Sequence, residues 1–194
     1  QLNKQILKIA VIDRYFQLPA ICMRDEDLRT DRQPEHSQLD FEMCFVNEQD
    51  IMDLVERLMK HIVKKVLGKD IKERFQVLDY EESMEKFGTD KPDLRYNLEL
   101  TTVTDIVKKS NFEVFKKAEV VKSLVVEKAI GRKEIDSLID FSQKELSAKG
   151  LAYIKYDGKT LESSIVKYFP EKVQKELISR LKPKKDSTIF FIAD

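Results

Sequence analysis

The sequence predicts an α+β fold built from antiparallel strands and packed helices, and three patterns lead there. Two segments of period-two alternation flank a heavily charged stretch between residues 24 and 37, which reads as an antiparallel hairpin with a polar loop. A helical-period apolar run follows between 51 and 66. After residue 97, short strand-like runs alternate with amphipathic helical ones, the signature of helices layered on a sheet.

In the hairpin, Gln38, Asp40 and Glu42 alternate with Leu39, Phe41, Met43 and Phe45, so one face of the second strand is polar and the other apolar. On the first strand Ile21 and Met23 alternate with Cys22 and Arg24. Paired antiparallel, Arg24, Glu26, Gln38, Asp40 and Glu42 share a face. Pro19 has no N–H to give a ladder, which predicts an edge position or a bulge there.

Asp50 is the expected N-cap of the next helix. Its apolar face carries Ile51, Leu54, Val55, Leu58, Met59, Ile62, Val63 and Val66, and Gly68 stands just past its end. That face is expected to cover Leu39, Phe41 and Met43 of the hairpin. A short strand is predicted at 75–78, then a helix opened by Asp79 with Glu82 in a capping-box spacing and closed near Gly88. Residues 88–95 combine glycine, aspartate and proline and read as a loop.

Beyond it, strands are predicted at 98–102, 112–115, 120–126, 151–156 and 187–192, and helices at 132–149 and 170–181, the latter begun by Pro170. Two domains are expected, 1–96 and 97–194. The second should own a core of Leu124, Val126, Ile135, Leu138, Ile154, Leu177, Ile189 and Phe191.

With 35 basic and 35 acidic residues in 194 the net charge is zero, so any nucleic-acid signal must be local. No apolar run approaches the ~18 residues of a membrane span, and the start lacks a secretory pattern, which predicts no membrane partner and a soluble cytoplasmic protein. Cys22 and Cys44 fall on the two hairpin strands, where they are expected near each other as buried thiols; neither they nor His36 and His61 have metal-ligand spacing, so no metal site is assigned.

The chemistry concentrates around the hairpin. Arg29 and Arg32 lie at the bend of the charged loop, and guanidinium groups take phosphate through paired, charge-assisted hydrogen bonds. Amides and carboxylates on a rigid sheet beside them suit a polar, phosphorylated ligand.

These residues stand in an order that resembles motif 2 of class II aminoacyl-tRNA synthetases, and in detail the bacterial-type aspartyl enzymes. The matching stretches are Asp13, Arg14, Tyr15, Phe16 and Gln17; Arg24, Asp25, Glu26, Asp27, Leu28 and Arg29; Asp31, Arg32, Gln33, Pro34 and Glu35; then Gln38, Leu39, Asp40, Glu42 and Met43. Gly88, Thr89, Asp90, Lys91, Pro92, Asp93, Leu94 and Arg95 are similar to a second hallmark, and the opening Gln1, Leu2, Asn3, Lys4 and Gln5 to the segment before motif 2. The stretch from Gly150 to Lys155 and the closing Ile189 to Asp194 resemble the GAD insertion domain of the same enzymes. The implied fold is a partial class II catalytic core on an antiparallel sheet, at 1–96, followed by an α+β GAD-type domain at 97–194.

The resemblance implies activation of aspartate by ATP and transfer of the aspartyl group to tRNA, by a full-length homodimer. Arg24 would stabilise charge developing on the α-phosphate. Glu26 would read the adenine amino group, Arg32 would hold the far end of the triphosphate, and Asp25 and Gln33 would complete the ATP set. Gln1, Lys4, Gln38 and Asp40 would form the aspartate pocket, Lys4 meeting the side-chain carboxylate and Gln38 and Asp40 the ammonium. Mg2+ would accompany ATP on ligands outside this chain. Because both substrates bring their own reacting groups, no protein nucleophile is required.

The sequence departs from the pattern in three places. One extra residue lies between Asp13 and Arg24, His36 and Ser37 replace an aromatic–threonine pair, and motifs 1 and 3 and an anticodon-binding barrel are not found, which predicts an internal fragment inactive by itself. Two other readings stay open: a tRNA- or protein-binding GAD module, of the kind also carried by the tRNA-dependent amidotransferases, and an amino-acid-activating relative that does not charge tRNA.

Overall fold

The computed structural model describes residues 2–23, 27–28 and 32–194, and it resolves into two compact units, 1–76 and 77–194.

The first unit opens with helix α1 (Leu2–Ile9), in which Leu2, Ile6 and Ile9 recur at helical spacing. Strands β1 (Arg14–Met23) and β2 (Glu35–Met43) then pair antiparallel as predicted. Tyr15 stands opposite Glu42 and Gln17 opposite Asp40, whereas beyond the irregularity Ala20 stands opposite Gln38 and Cys22 opposite His36. Two residues of β1, Leu18 and Pro19, therefore face one of β2, which is the expected bulge at the residue that cannot donate to the ladder.

Helix α2 (Glu48–Leu67) is capped by Asn47 rather than by Asp50. The Asn47 side chain accepts from the Asp50 N–H at 3.1 Å, and the Asp50 carboxylate accepts from the Asn47 N–H at 2.9 Å. Asp50 is thus the returning arm of a capping box, a role its residue type allows as readily as the cap itself. Gly68 ends the helix in the left-handed conformation, as predicted. Residues 75–78 form no strand: the Phe75 N–H donates to the Glu56 carboxylate at 3.3 Å, its ring lies 5.7 Å from the Lys60 ammonium, and Arg74 pairs with Asp53 at 2.7 Å. These bonds to α2 take the place of a ladder.

No described residue of the first unit is buried. Phe16 is 68% exposed and Leu39 43%, and α2 leaves Met52, Val55, Met59 and Ile62 open. The expected burial of Leu39, Phe41 and Met43 under α2 is not found, because the alternation shows which face is apolar and not what lies over it. Nor do the cysteines stand together. Cys22 lies opposite His36 at one end of the hairpin, while the Cys44 N–H bonds the Asp13 carbonyl at the other, and Cys44 is a half-buried free thiol.

The second unit holds a real core. Helix α3 (Tyr80–Phe87) starts after Asp79, whose side chain makes no capping bond, and ends at left-handed Gly88. Strands β3 (Leu100–Thr102), β4 (Val121–Val126), β5 (Ala152–Tyr156), β6 (Leu161–Glu162) and β7 (Ser187–Ala193) form an antiparallel sheet in the order β3-β4-β7-β5-β6. Central β7 is buried from Ser187 to Phe191 because both sheet faces are covered. Ile189 and Phe191 face the packing of helices α4 (Thr104–Val107), α5 (Glu113–Lys117) and α7 (Glu171–Leu181), while Phe190 meets Ile130 and Ile135 of the layer formed by α6 (Arg132–Lys144).

Residues 112–115, predicted as strand, start α5 instead. Phe112 and Phe115, three apart, fall on one helical side and meet edge-on at 4.9 Å, with Phe115 1% exposed in the core. Helix α6 stops at Lys144, short of the expected 149; Ser147 takes a positive φ and the Ala148 N–H folds back to the Ser142 carbonyl. Of the expected core, Ile135, Ile154, Leu177, Ile189 and Phe191 are buried, while Leu124, Val126 and Leu138 are half-buried beside a groove next to α6. Helix α3 belongs to this unit through Glu85, which bonds Lys122 and Thr102, and through Ser83, buried on the Thr89 carbonyl at 2.8 Å. The compact unit therefore begins about twenty residues before the boundary read from sequence.

Candidate active site on the hairpin

The polar face of the hairpin is where charge converges in the first unit. The Lys4 ammonium, on α1, donates to Asp40 at 2.8 Å to one carboxylate oxygen and 2.7 Å to the other, and lies 3.3 Å from Glu42. The register explains the grouping: Asp40 and Glu42 are two apart on β2 and so project from the same side. One turn along α1, Lys8 donates to the Glu42 carbonyl at 2.9 Å and to the Ile12 carbonyl at 3.3 Å, and its ammonium lies 5.9 Å from the Tyr15 ring. Tyr15 in turn donates its hydroxyl to Gln17 at 2.8 Å, along the same side of β1.

The hydrogen bond to Asp40, seconded by that to Glu42, holds the Lys4 ammonium above its ordinary pKa despite partial desolvation. A cation held between two carboxylates, with Gln17 and Gln38 on neighbouring positions, places donors and acceptors of both charge signs on one face.

Of the residues singled out from sequence, Lys4 and Asp40 are brought into direct contact, and Gln38 lies half-buried one alternation further along β2. Arg32 and Gln33 are exposed just before β2. Gln1, Arg24, Asp25, Glu26 and Arg29 lie outside the described residues. Glu42, a matching residue to which the resemblance gives no role, and Lys8, outside the matching stretches, join the site. For Glu42 the alternation with Asp40 is the available signal; for Lys8 it is the spacing of four from Lys4, readable once 2–9 is known to be helical. Among the described residues no group of three His, Cys, Asp or Glu side chains is arranged to hold a metal ion, and both Asp40 and Glu42 are engaged by Lys4, so the described site does not fit Mg2+.

The described first unit thus joins an antiparallel hairpin with a polar face to a helix that carries the countercharge. The family model for class II tRNA synthetases (D, K and N) matches residues 1–194, and the chain belongs to that family. Among curated relatives it is 50% identical to the aspartate–tRNA(Asp/Asn) ligase of Aquifex aeolicus, 47% to that of a Hydrogenobaculum species and 43% to the aspartate–tRNA ligase of Clostridium perfringens. Each alignment covers all of this chain and 33% of the relative, so the chain spans about a third of the length of the curated relatives it matches.

Proposed function

We propose that the chain carries the motif-2 part of an aspartate–tRNA ligase, followed from about residue 97 by a GAD-type insertion domain. The observation that carries this reading is Lys4 held by Asp40 and Glu42 on the polar face of the hairpin. Free aspartate has one more negative group than a neutral amino acid, and a lysine is the side chain that rewards it. On binding, the substrate carboxylate takes over Lys4 and the substrate ammonium takes over Asp40 and Gln38, so the ion pair keeps the pocket neutral until its partners are exchanged.

ATP is the co-substrate in this reading. Arg24 compensates the charge that grows on the α-phosphate as the aspartate carboxylate attacks it and pyrophosphate leaves. Glu26 reads the adenine amino group, Arg32 the γ-phosphate end, and Asp25 and Gln33 line the nucleotide. Gln1 flanks the aspartate. The aspartyl group then passes to the tRNA 3′ end. Mg2+ accompanies the triphosphate and requires ligands beyond the described residues. A cytoplasmic homodimer is the form proposed for the full-length enzyme; no helix among the described residues is long and apolar enough to cross a membrane.

The test uses the full-length enzyme and aspartate-dependent exchange of pyrophosphate into ATP. Lys4→Ala is expected to raise KM for aspartate by roughly two orders of magnitude with KM for ATP little changed, the size expected when a charged partner in a polar site is left unmatched. Arg24→Ala should instead lower kcat by roughly 10²-fold or more. An unchanged aspartate KM in Lys4→Ala would sink the assignment. A second reading, an autonomous binding module, draws support from the core that the second unit owns by itself.

A further inference from the structure

We propose that the second unit docks on an RNA phosphate backbone through one end of its sheet, the end formed by the loops after β4, after β5 and before β7. This rests on the tRNA-ligase reading and adds a surface to it.

The topology brings three separate loops together there. Val126 of β4 pairs with Thr188 of β7, and Ser187 of β7 with Tyr156 of β5, so residues 127–131, 157–160 and 182–186 leave the sheet side by side. They are tied to one another. The buried Thr188 hydroxyl donates to the Lys128 carbonyl at 2.9 Å and accepts from the Ile130 N–H at 3.1 Å, Lys184 bonds Glu127 at 2.7 Å, and the Lys185 side chain packs over Gly158, where a Cβ would approach its Cγ to 3.0 Å. Gly158 has φ +102, a conformation that leaves this turn to glycine.

The charges divide unevenly. Glu127 is engaged by Lys184 and Asp136 by Arg132, and the Asp157 carboxylate accepts from the N–H groups of Lys159 and Thr160 within its own turn, so Asp157, Asp186 and Glu134 carry the acidic charge left without an ion pair among the described residues. Lys128, Lys133, Lys159, Lys182 and Lys185 are exposed and make no ion pair with any described residue, which leaves these lysines in excess over the three unpaired carboxylates. At the opposite end of the same sheet, Lys149 pairs with Asp194, and Lys117 and Glu119, two residues apart, are one charge of each sign, so no comparable excess arises. The excess cations sit on the three loops and on the first turn of α6, over neighbouring strands that span roughly 10 Å. One small anion cannot reach them together, whereas a chain of phosphates meets them in turn. In a protein of zero net charge such a local excess is the electrostatic footprint of a polyanion.

The experiment measures binding of the 194-residue chain to a transcript of aspartate tRNA, by fluorescence anisotropy across a salt series. The triple variant Lys128→Glu, Lys159→Glu, Lys185→Glu takes one lysine from each loop. The control triple reverses Lys116, Lys144 and Lys175, which are ion-paired elsewhere on the unit. Both are matched to the wild type by thermal melting, and a Lys→Gln triple at the edge repeats the test without new negative charge. The edge variant should weaken binding about tenfold or more and flatten the log–log salt slope by about 2, while the control stays within about twofold. Equal loss in both triples, or no RNA binding by the wild type at low salt, overturns the surface. Polyglutamate binding this edge as tightly as tRNA also overturns it, in favour of an acidic protein partner. Pyrophosphate exchange by the full-length enzyme is a separate readout: its absence defeats the ligase reading without touching the binding result.

Discussion

The two units put the same kinds of apolar residue to different ends. In 77–194 they meet one another across a five-stranded sheet covered on both faces, and Phe191, Ile154 and Leu177 are all but inaccessible. In 1–76 the same residue types form clean alternating and helical patterns, yet none of the described ones is buried. Amphipathic pattern is a property of a segment, while a core is a property of a set of segments that meet. The first unit has the former without the latter; among its described residues the backbone ladder joins β1 to β2, and ion pairs such as Lys4 to Asp40 link α1 to β2.

The sharpest way to break this contrast is to remove an aromatic ring from each unit. Phe191→Ala should cost about 3–5 kcal/mol, read as faster amide exchange throughout β4 and β7, because it empties a fully enclosed site. Phe16→Ala, on the open face of β1, should cost about 1 kcal/mol or less. Comparable losses would mean that the hairpin face is covered in solution.

A second measurement concerns where the core-bearing unit starts. Expressed alone, 77–194 should melt several degrees above 97–194, since the shorter piece loses the α3 bonds from Glu85 and the buried Ser83; about 1–2 kcal/mol corresponds to that shift in a domain of this size. Equal melting temperatures would favour the boundary at 97. Next in size is the cap of α2: Asn47→Ala should remove about 1 kcal/mol of helix stability, seen as fraying of the first turn by hydrogen exchange.

The smallest expected effect is a pH dependence. Hydrogen bonds from the Arg95 side chain and N–H bring the Asp93 carboxyl down to about 2 from an ordinary 3.8. A carboxyl whose folded pKa is lowered stabilises the fold above its unfolded value, and that contribution disappears as pH falls through the folded one. The stability difference between wild type and Asp93→Asn should therefore be present above about pH 4, shrink between about 4 and 2, and weaken with salt because the pair is exposed. A difference that persists below about pH 2 would assign the effect to something other than this carboxylate.

Much of this is legible in the sequence. The hairpin, its register break at Pro19, the Gly68 and Gly88 helix ends and the strands around 121–126, 152–156 and 187–193 follow from local pattern and backbone chemistry. Where local pattern fails, the deciding contact lies elsewhere in the chain. Phe112 and Phe115 read as strand because a four-residue apolar run fits either period, and only their neighbours in the core make it helical. Residues 75–78 have strand composition but find Glu56 and Lys60 instead of a partner strand. At the site, Lys4 and Asp40 are legible through family resemblance, whereas the bonds of Lys8 to the Glu42 and Ile12 carbonyls depend on how helix α1 lies against β2, which local pattern does not mark.

The bulge at Leu18 and Pro19 changes how the hairpin can be numbered. On β1 the residues facing the Asp40 side are odd before it, at Tyr15 and Gln17, and the backbone positions opposite β2's even residues are even after it, at Ala20 and Cys22. Odd and even exchange meaning within one strand. A residue-by-residue comparison that slides along β1 without a gap is thus right on one flank and inverted on the other, while β2 can be compared straight through. Evolution has the same freedom: a residue gained or lost at this point is absorbed where it occurs, and neither end of the hairpin has to learn of it.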